Sequence, residues 1–471
     1  MFHHNADRSK VIKESDSYYE FLKQKETVVA DSGFDPEELN ANLFDFQRDI
    51  VAWALRKGKA ALFEDTGLGK TIQQLSWADA VAKHENGSVL ILAPLAVGKQ
   101  TAKEADKFGI QAKLCESDAD VENGINITNY EKLHKFNTDR FCGIVLDESS
   151  ILKSYSGKTT NDLIRRFRNT KYKLACTATP SPNDFTELGN HAEFLNVTTM
   201  NEMLSMFFIN DSSNGIGWRL KRHSVKEFFK WIAEWAIMIK SPADLGFDGT
   251  KYILPKLNIH TIVTETAIPE GQLFVMPAET LQERRQARKE SLDRRVKKTN
   301  EIVESDDGQV LIWCNYNDES DALRRTINGS YEVKGSDTDL HKEAGMLGFS
   351  DGSVHILVSK PSICGFGMNW QNCHRIIFCG LSDSYEQFYQ AIRRCWRFGQ
   401  KHEVDVYVII GEAETTILNN IQRKQANHDL MSSEMLETIN TVTKEKLYNL
   451  RFEKSNYKPQ ETMSVPGWLN G

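Results

Sequence analysis

Between residues 64 and 71 the chain reads Glu-Asp-Thr-Gly-Leu-Gly-Lys-Thr, with the apolar run Ala60-Ala61-Leu62-Phe63 before it and a helix-compatible stretch over 71–84 after it. A glycine-rich turn in that setting aims the unpaired backbone N–H groups of a helix start at an anion. Thr66, Gly67, Leu68 and Gly69 would form the cradle, Lys70 adds a point charge, and Thr71 brings a hydroxyl able to ligate Mg²⁺. The chemistry is phosphate binding. The strict spacing GxxxxGK[ST] asks for glycine at position 64, where this chain has Glu64, so the strand-to-helix context carries the reading and the string alone does not. Further along, the apolar run Gly143-Ile144-Val145-Leu146 ends in Asp147 and Glu148. Two acids leaving the carboxyl edge of a buried strand, beside a phosphate loop on the same sheet, suit metal binding and water activation. Asp147 would hold Mg²⁺, directly or through water, and Glu148 would polarise the attacking water. An isolated Asp-Glu pair is usually two solvated acids in a turn; the Gly-Lys-Thr loop reverses that reading.

These groups need a scaffold, and the spacing of apolar residues supplies one. Short apolar runs begin at 88, 124, 142 and 172 and alternate with polar, helix-compatible stretches, which predicts an α/β unit with a mainly parallel sheet covered on both faces. From about 185 to 250, segments such as Ser224–Ile239 show helical spacing and no strand rhythm. The α/β rhythm returns with runs beginning at 309, 355, 374 and 404. The parse is an extension over 1–40, a first lobe over 41–185, a helical insertion over 186–252, a connecting strand and basic helix over 253–304, a second lobe over 305–430 and a C-terminal extension over 431–471. A chain of 471 residues is about three domain-sized units of ~150. No apolar run reaches the ~18 residues of a membrane-crossing helix, and the start has no secretory pattern. Eight cysteines without a CxxC pair predict reduced thiols, a cytoplasmic setting and no zinc knuckle. The net charge of −7 does not exclude nucleic acid, because a binding groove needs only a local cationic patch.

Gly67-Leu-Gly-Lys-Thr71, Asp147-Glu-Ser-Ser150, Thr177-Ala-Thr-Pro-Ser-Pro-Asn-Asp184 and Gln390-Ala-Ile-Arg-Arg-Cys-Trp-Arg-Phe-Gly-Gln400 stand in the order and approximate spacing of superfamily 2 helicases, and the chain most resembles their Swi/Snf-like ATPase branch. The last string is the most specific. The resemblance implies two RecA-like lobes, with ATP and Mg²⁺ bound between them and a nucleic acid running across both. By that resemblance Gln47 would read adenine, and Arg394 and Arg397 would be arginine fingers, delivered from the second lobe to stabilise charge on the transferring phosphoryl group. Gly367 and Gln390 would also touch the nucleotide. Lys153, Thr177, Thr179, Asn183 and Asn369 would couple the nucleotide to the nucleic acid. Three positions depart from the branch pattern. Ser150 stands where histidine is usual, Arg393 where aspartate is common, and Trp396 where histidine is common.

Local charge offers further contacts. Residues 284–298 hold eight basic and two acidic side chains, which suits either a solvated linker helix or a phosphate-binding rail. Residues 218–231 mix bases with aromatics, which could clamp a backbone but more simply pack a core. The reading that follows is an ATP-dependent motor on DNA, duplex in preference to single-stranded, in a prokaryotic or virus-infected cell. An RNA-directed ATPase, or the motor subunit of a restriction or recombination complex with other DNA-processing partners, remains the alternative. The intact Lys70, Thr71, Asp147, Glu148, Arg394 and Arg397 argue against a relic that has lost its chemistry.

Overall fold

Along the buried strands, successive side chains enter two different cores, and this alternation builds both halves of the molecule. The computed structural model describes residues 29–94, 97–153, 157–181, 184–211, 217–264, 281–364 and 368–426, with single residues beyond. The first half runs α1 (Asp45–Lys57), β1 (Lys59–Glu64), α2 (Lys70–Glu85), β2 (Ser88–Ala93), α3 (Gly98–Lys107), β3 (Ala112–Leu114), β4 (Gly124–Asn129), β5 (Phe141–Asp147), α4 (Lys158–Arg166) and β6 (Tyr172–Thr177). It continues through α5 (Leu188–Phe194), α6 (Met200–Phe207), the hairpin β7 (Phe208–Asn210) and β8 (Trp218–Leu220), α7 (Val225–Ala233) and β9 (Ala236–Ile239). Seven strands form one parallel sheet in the order β3-β4-β2-β5-β6-β1-β9. Ala60, Leu62, Val89, Ile91 and Val145 face a core with Ile50 and Trp53 of α1 and Leu75 and Trp77 of α2. Their neighbours Ala61, Phe63, Leu90, Leu92 and Ile144 face the opposite core.

The second half contains β10 (Leu257–Thr264), α8 (Leu281–Glu304), β11 (Val310–Trp313), α9 (Asn317–Thr326), β12 (Ser330–Val333), α10 (Asp339–Asp351), β13 (Ile356–Ser359), α11 (Pro361–Cys364), β14 (Arg375–Cys379), α12 (Tyr385–Ile392) and β15 (Val404–Gly411). Six parallel strands are ordered β10-β15-β14-β11-β13-β12. Leu311, Trp313, Ile376 and Phe378 face a core with Phe388 of α12, while Val310, Ile312 and Ile377 face one with Val296 of α8 and Leu323 of α9. The two RecA-like lobes expected from the sequence are thus two parallel sheets, each covered by helices on both faces. All eight cysteines are free, and no described helix is long and apolar enough to cross a membrane.

Two segments differ from the expectation. The stretch 186–252 is no separate helical insertion: α5, α6 and α7 supply Leu188, Met203 and Phe228 to one core of the first sheet, and β9 pairs with β1 at its edge. A four-residue apolar strand directly after the helical run Phe228–Trp235 carries no alternation of its own, so spacing cannot separate it from helix. Nor is 253–304 a connector, since β10 pairs with β15 over its whole length and α8 lies in the second lobe's core.

The basic stretch on α8 is divided, with Lys289, Arg294 and Lys297 exposed and Arg288 and Arg295 buried. Arg295 is fully buried; its guanidinium donates to Glu319 Oε1 at 2.9 Å and to the Cys379 carbonyl at 2.8 Å, and lies 3.6 Å from Glu414. Arg288 donates to Glu414 Oε1 at 3.0 Å and to the Tyr316 hydroxyl at 2.8 Å. The aromatics of 218–231 do pack a core: Phe228, Phe229 and Trp231 are buried in contact with Phe207 or Phe185, while Trp218 stays exposed.

Candidate active site

The loop between β1 and α2 turns left-handed at Gly67 (φ 94°) and Gly69 (φ 80°), conformations that cost glycine least. Gly69 caps α2, so the helix opens at Lys70, whose ammonium donates to the carbonyls of Glu64 at 2.7 Å and Asp65 at 3.1 Å. Gly67 meets a second demand: a Cβ there would lie 3.0 Å from Cβ and 3.1 Å from the backbone nitrogen of Phe398, which belongs to the other lobe. Glu64, in place of the loop formula's glycine, is buried beneath the loop and accepts from Gln73 Nε2 at 2.7 Å. Burial pushes its carboxyl up to about 7, against the pull of Lys70 and of the Gln73 hydrogen bond. Gln47, expected to read adenine, is also buried. Its amide nitrogen donates to the Leu68 carbonyl at 2.8 Å and its oxygen accepts from the Phe44 N–H at 2.9 Å. The contacts it makes brace the phosphate loop from behind.

Asp147 ends β5, next to β6 in the sheet, and accepts from Gln74 Nε2 of α2 at 2.8 Å, while its carbonyl accepts from the Tyr130 hydroxyl at 2.7 Å. Glu148 sits at φ 55°, a left-handed backbone that costs a non-glycine residue roughly 1–3 kcal/mol and turns its side chain off the strand axis. The Thr177 hydroxyl donates to Glu148 Oε2 at 3.4 Å and accepts from the Thr179 N–H at 3.1 Å, linking the acid to the segment after β6. Burial raises both carboxyls above the ordinary range, Asp147's charge raises Glu148 further, and Lys70 and Arg394 pull both back. Ser149 Oγ lies 3.1 Å from Nε2 of buried His191, so at the acid turn the histidine contact comes from α5 through Ser149.

From the second lobe, the turn that follows α12 delivers the arginines. Arg394 is buried, with Nε donating to the Gln390 carbonyl at 3.1 Å and a terminal nitrogen to the Met368 carbonyl at 3.3 Å. Its charge reaches Asp147 and Glu148 across the seam. A terminal nitrogen of Arg397 donates to the same Met368 carbonyl at 3.4 Å. Burial, then the cations Arg394 and Arg393, pull the Arg397 guanidinium down to about 9. Asp65 answers Arg393, which leaves Arg394 and Arg397 as the buried cations whose crowding an anion would relieve.

The groups present fit a nucleoside triphosphate with Mg²⁺. The loop supplies N–H donors and a lysine, and the buried amide of Gln390 and the hydroxyls of Thr66 and Thr179 have no hydrogen-bond partner among the described residues. Thr71, second in α2, and Asp147 offer one hydroxyl and one carboxylate; Mg²⁺ characteristically takes its other oxygens from phosphate and water. The described residues contain no all-protein cluster of three or more metal-ligating side chains.

Behind the acid turn, a cleft of about 990 Å³ runs between the lobes, lined by Lys103, Lys342 and Asn369 and by the ion pairs Lys99–Glu343, Lys132–Glu116 and Lys153–Glu386, so its lysines stand among acids. The Lys153 pair reaches Glu386 of α12 at 2.5 Å. Asn183 and Gly367 lie outside the described residues. Gln74, Tyr130 and Gln73 were not singled out from the sequence, although Gln74 stands four residues after Lys70, one helical turn along the same face.

Residues 46–213 match the SNF2-related domain family and residues 294–399 the helicase conserved C-terminal domain family, together more than half the chain and in the order of the two lobes. The chain belongs to the Swi/Snf-like branch of the superfamily 2 helicases. The Swi/Snf-like chain is accordingly an ATP-hydrolysing enzyme of the nucleic-acid-dependent kind. Among solved structures it is similar to the Sulfolobus solfataricus SWI2/SNF2 ATPase core in complex with dsDNA, with 20% identity, a TM-score of 0.41, and coverage of 88% of this chain and 98% of that one. No curated protein sequence matches it.

Proposed function

We propose that the protein is an ATP-driven DNA motor that hydrolyses ATP at the seam between its lobes and moves along, or remodels, duplex DNA held in the lysine-lined cleft. The observation that carries this reading is the contact of the arginine-bearing segment of the second lobe with the phosphate loop of the first, where Arg393 pairs with Asp65 and Phe398 packs against Gly67. The loop N–H groups from Gly67 to Gly69 and the Lys70 ammonium hold the phosphates, with the unpartnered Thr66 hydroxyl beside them. Thr71 and Asp147 would hold Mg²⁺, which would supply positive charge to the phosphate oxygens. Glu148 accepts a hydrogen bond from the attacking water and orients it, and Arg394 and Arg397 stabilise the charge that develops as the terminal phosphoryl group departs. Gln390 supplies a further amide, and Gln47 keeps the loop in shape.

Hydrolysis is strong only while the lobes meet, so turnover is coupled to their relative position. The cleft spans the same two lobes. Lys99, Lys103, Lys132 and Lys153 come from the first and Lys342 and Asn369 from the second, so each closure shifts one set of phosphate contacts against the other. Thr177 and Thr179 tie Glu148 to the segment that Asn183 continues, a physical link between acid and track. The deciding experiment compares the ATPase rate without nucleic acid and with single-stranded DNA, duplex DNA and RNA. Stimulation greatest with duplex DNA is expected; greatest stimulation by RNA transfers the motor to an RNA track, and no stimulation by any of them removes the motor reading.

A further inference from the structure

Two of the positions at which this chain departs from the branch pattern, Arg393 and Trp396, meet in one cluster at the seam. The Arg393 guanidinium pairs with Asp65 Oδ2, across from the second lobe to the first residue of the phosphate loop, with side chains only 4% and 17% exposed. The Tyr389 hydroxyl donates to Asp65 Oδ1 at 2.8 Å, and the Thr66 N–H donates to that same oxygen at 2.6 Å. Around the guanidinium stand two rings, Trp396 at 4.9 Å and Tyr389 at 5.6 Å from its central carbon. Trp396 is itself fixed, its indole N–H donating to the Pro255 carbonyl at 2.7 Å.

We propose that Asp65 and Arg393 form a positioning latch, an ion pair made only when the lobes meet, which sets where Arg394 and Arg397 stand relative to the phosphate loop. The inference rests on the ATP-seam reading above and adds residues to it. Arg393 caps the C-terminus of α12 and opens the turn that carries Arg394 and Arg397, a turn pinned by hydrogen bonds from the Arg394 N–H to the Ala391 carbonyl and from the Cys395 N–H to the Ile392 carbonyl, so a displacement of its guanidinium is passed directly to its neighbour. On the loop side, Asp65 Oδ1 takes the Thr66 N–H and so fixes the backbone where the phosphate loop begins. An aspartate at 393, the residue common in the branch, would face Asp65 with like charge. The arginine here turns that contact attractive, and Trp396 supplies a flat face for it that histidine would only partly replace. A buried pair of this kind adds little to stability once desolvation is counted, but it fixes geometry well, which is what finger placement needs.

The test is duplex-stimulated turnover and lobe distance in Arg393→Ala, Arg393→Lys and Tyr389→Phe, with donor and acceptor dyes on opposite lobes and a non-hydrolysable ATP analogue to close them. Arg393→Ala should lower kcat by about tenfold or more while KM for ATP stays within about twofold, because loop and lysine are untouched. The closed fraction should fall with it. Arg393→Lys, which keeps the charge, should recover part of both, and Tyr389→Phe should cost about threefold in kcat without unfolding risk. A kcat for Arg393→Ala within about twofold of the parent, or a fall in kcat with closure unchanged, overturns the latch. Lys70→Ala in the same assay separates the two readings: if it still turns over, the site assignment fails, and if it is dead while Arg393→Ala is not, only the latch fails.

Discussion

Two networks of buried arginine and carboxylate sit in this molecule, built from the same chemistry for different ends. In the second lobe, Arg295 and Arg288 are held by Glu319 and Glu414, with every partner on elements that pack in one core. At the seam, Arg393 pairs with Asp65, and the charge of its neighbour Arg394 holds down the Asp147 and Glu148 carboxyls, with the cations on one lobe and the acids on the other. The first network is complete whenever its lobe is folded; the second exists only when two folded lobes meet. An ion pair inside one rigid body serves the fold, and the same pair divided between two bodies makes chemistry conditional on their approach.

That contrast is open to attack from both sides. The largest effect belongs to the seam: Arg397→Ala should cost on the order of 10³-fold in duplex-stimulated kcat while leaving nucleotide binding and the melting temperature close to the parent. Paired ATPase and nucleotide-binding measurements check it, and a comparable loss of stability would erase the distinction between the networks. The core arginine should behave in the opposite way. Arg295→Ala strands Glu319 and Glu414 and should destabilise the protein by about 3–5 kcal/mol in urea unfolding, with turnover per folded molecule little changed. A buried base without an ion pair sharpens the same point. Burial pulls the His191 imidazole down to about 4, so the neutral ring contributes stability that is full above its unfolded value near ~6.5 and is lost as pH falls toward the folded one. Stability followed from pH 7 to pH 4 should lose on the order of 3 kcal/mol from this group, and His191→Gln should flatten part of that slope. The smallest effect is at the half-exposed seam pair: Lys153→Ala should weaken DNA binding uniformly across sequences and reduce the slope of log affinity against log salt by about one unit.

The strands that carry the site were legible because each is a short apolar run bounded by turns, and β1 and β5 end where the phosphate loop and the acid pair begin. The loop itself was legible through glycine spacing, despite Glu64, since that side chain turns under the loop and leaves the cradle unobstructed. What escaped depends on partners far along the chain. Arg288 and Arg295 look like surface charge in a basic run until Glu319, Cys379 and Glu414 are folded against them. The buried contacts of Gln47 with the Leu68 carbonyl and the Phe44 N–H likewise need the folded loop, since a glutamine on an amphipathic helix looks solvated in the sequence. Strand β9 is too short for its apolar run to declare a period, and only pairing with β1 makes it a strand. Arg393 stood out in the sequence as a departure from pattern, but its meaning needed Asp65, more than three hundred residues earlier.

The tight approach of Gly67 to Phe398 gives the hydrolytic cycle a hard stop. A methyl group at 67 would stand 3.1 Å from the backbone nitrogen of Phe398 as well as 3.0 Å from its side chain, so trimming residue 398 alone would not relieve the contact. A larger residue there would push the two halves apart and, at a φ of 94°, would also strain the loop itself, so the machine would lose its power stroke together with part of its grip on fuel.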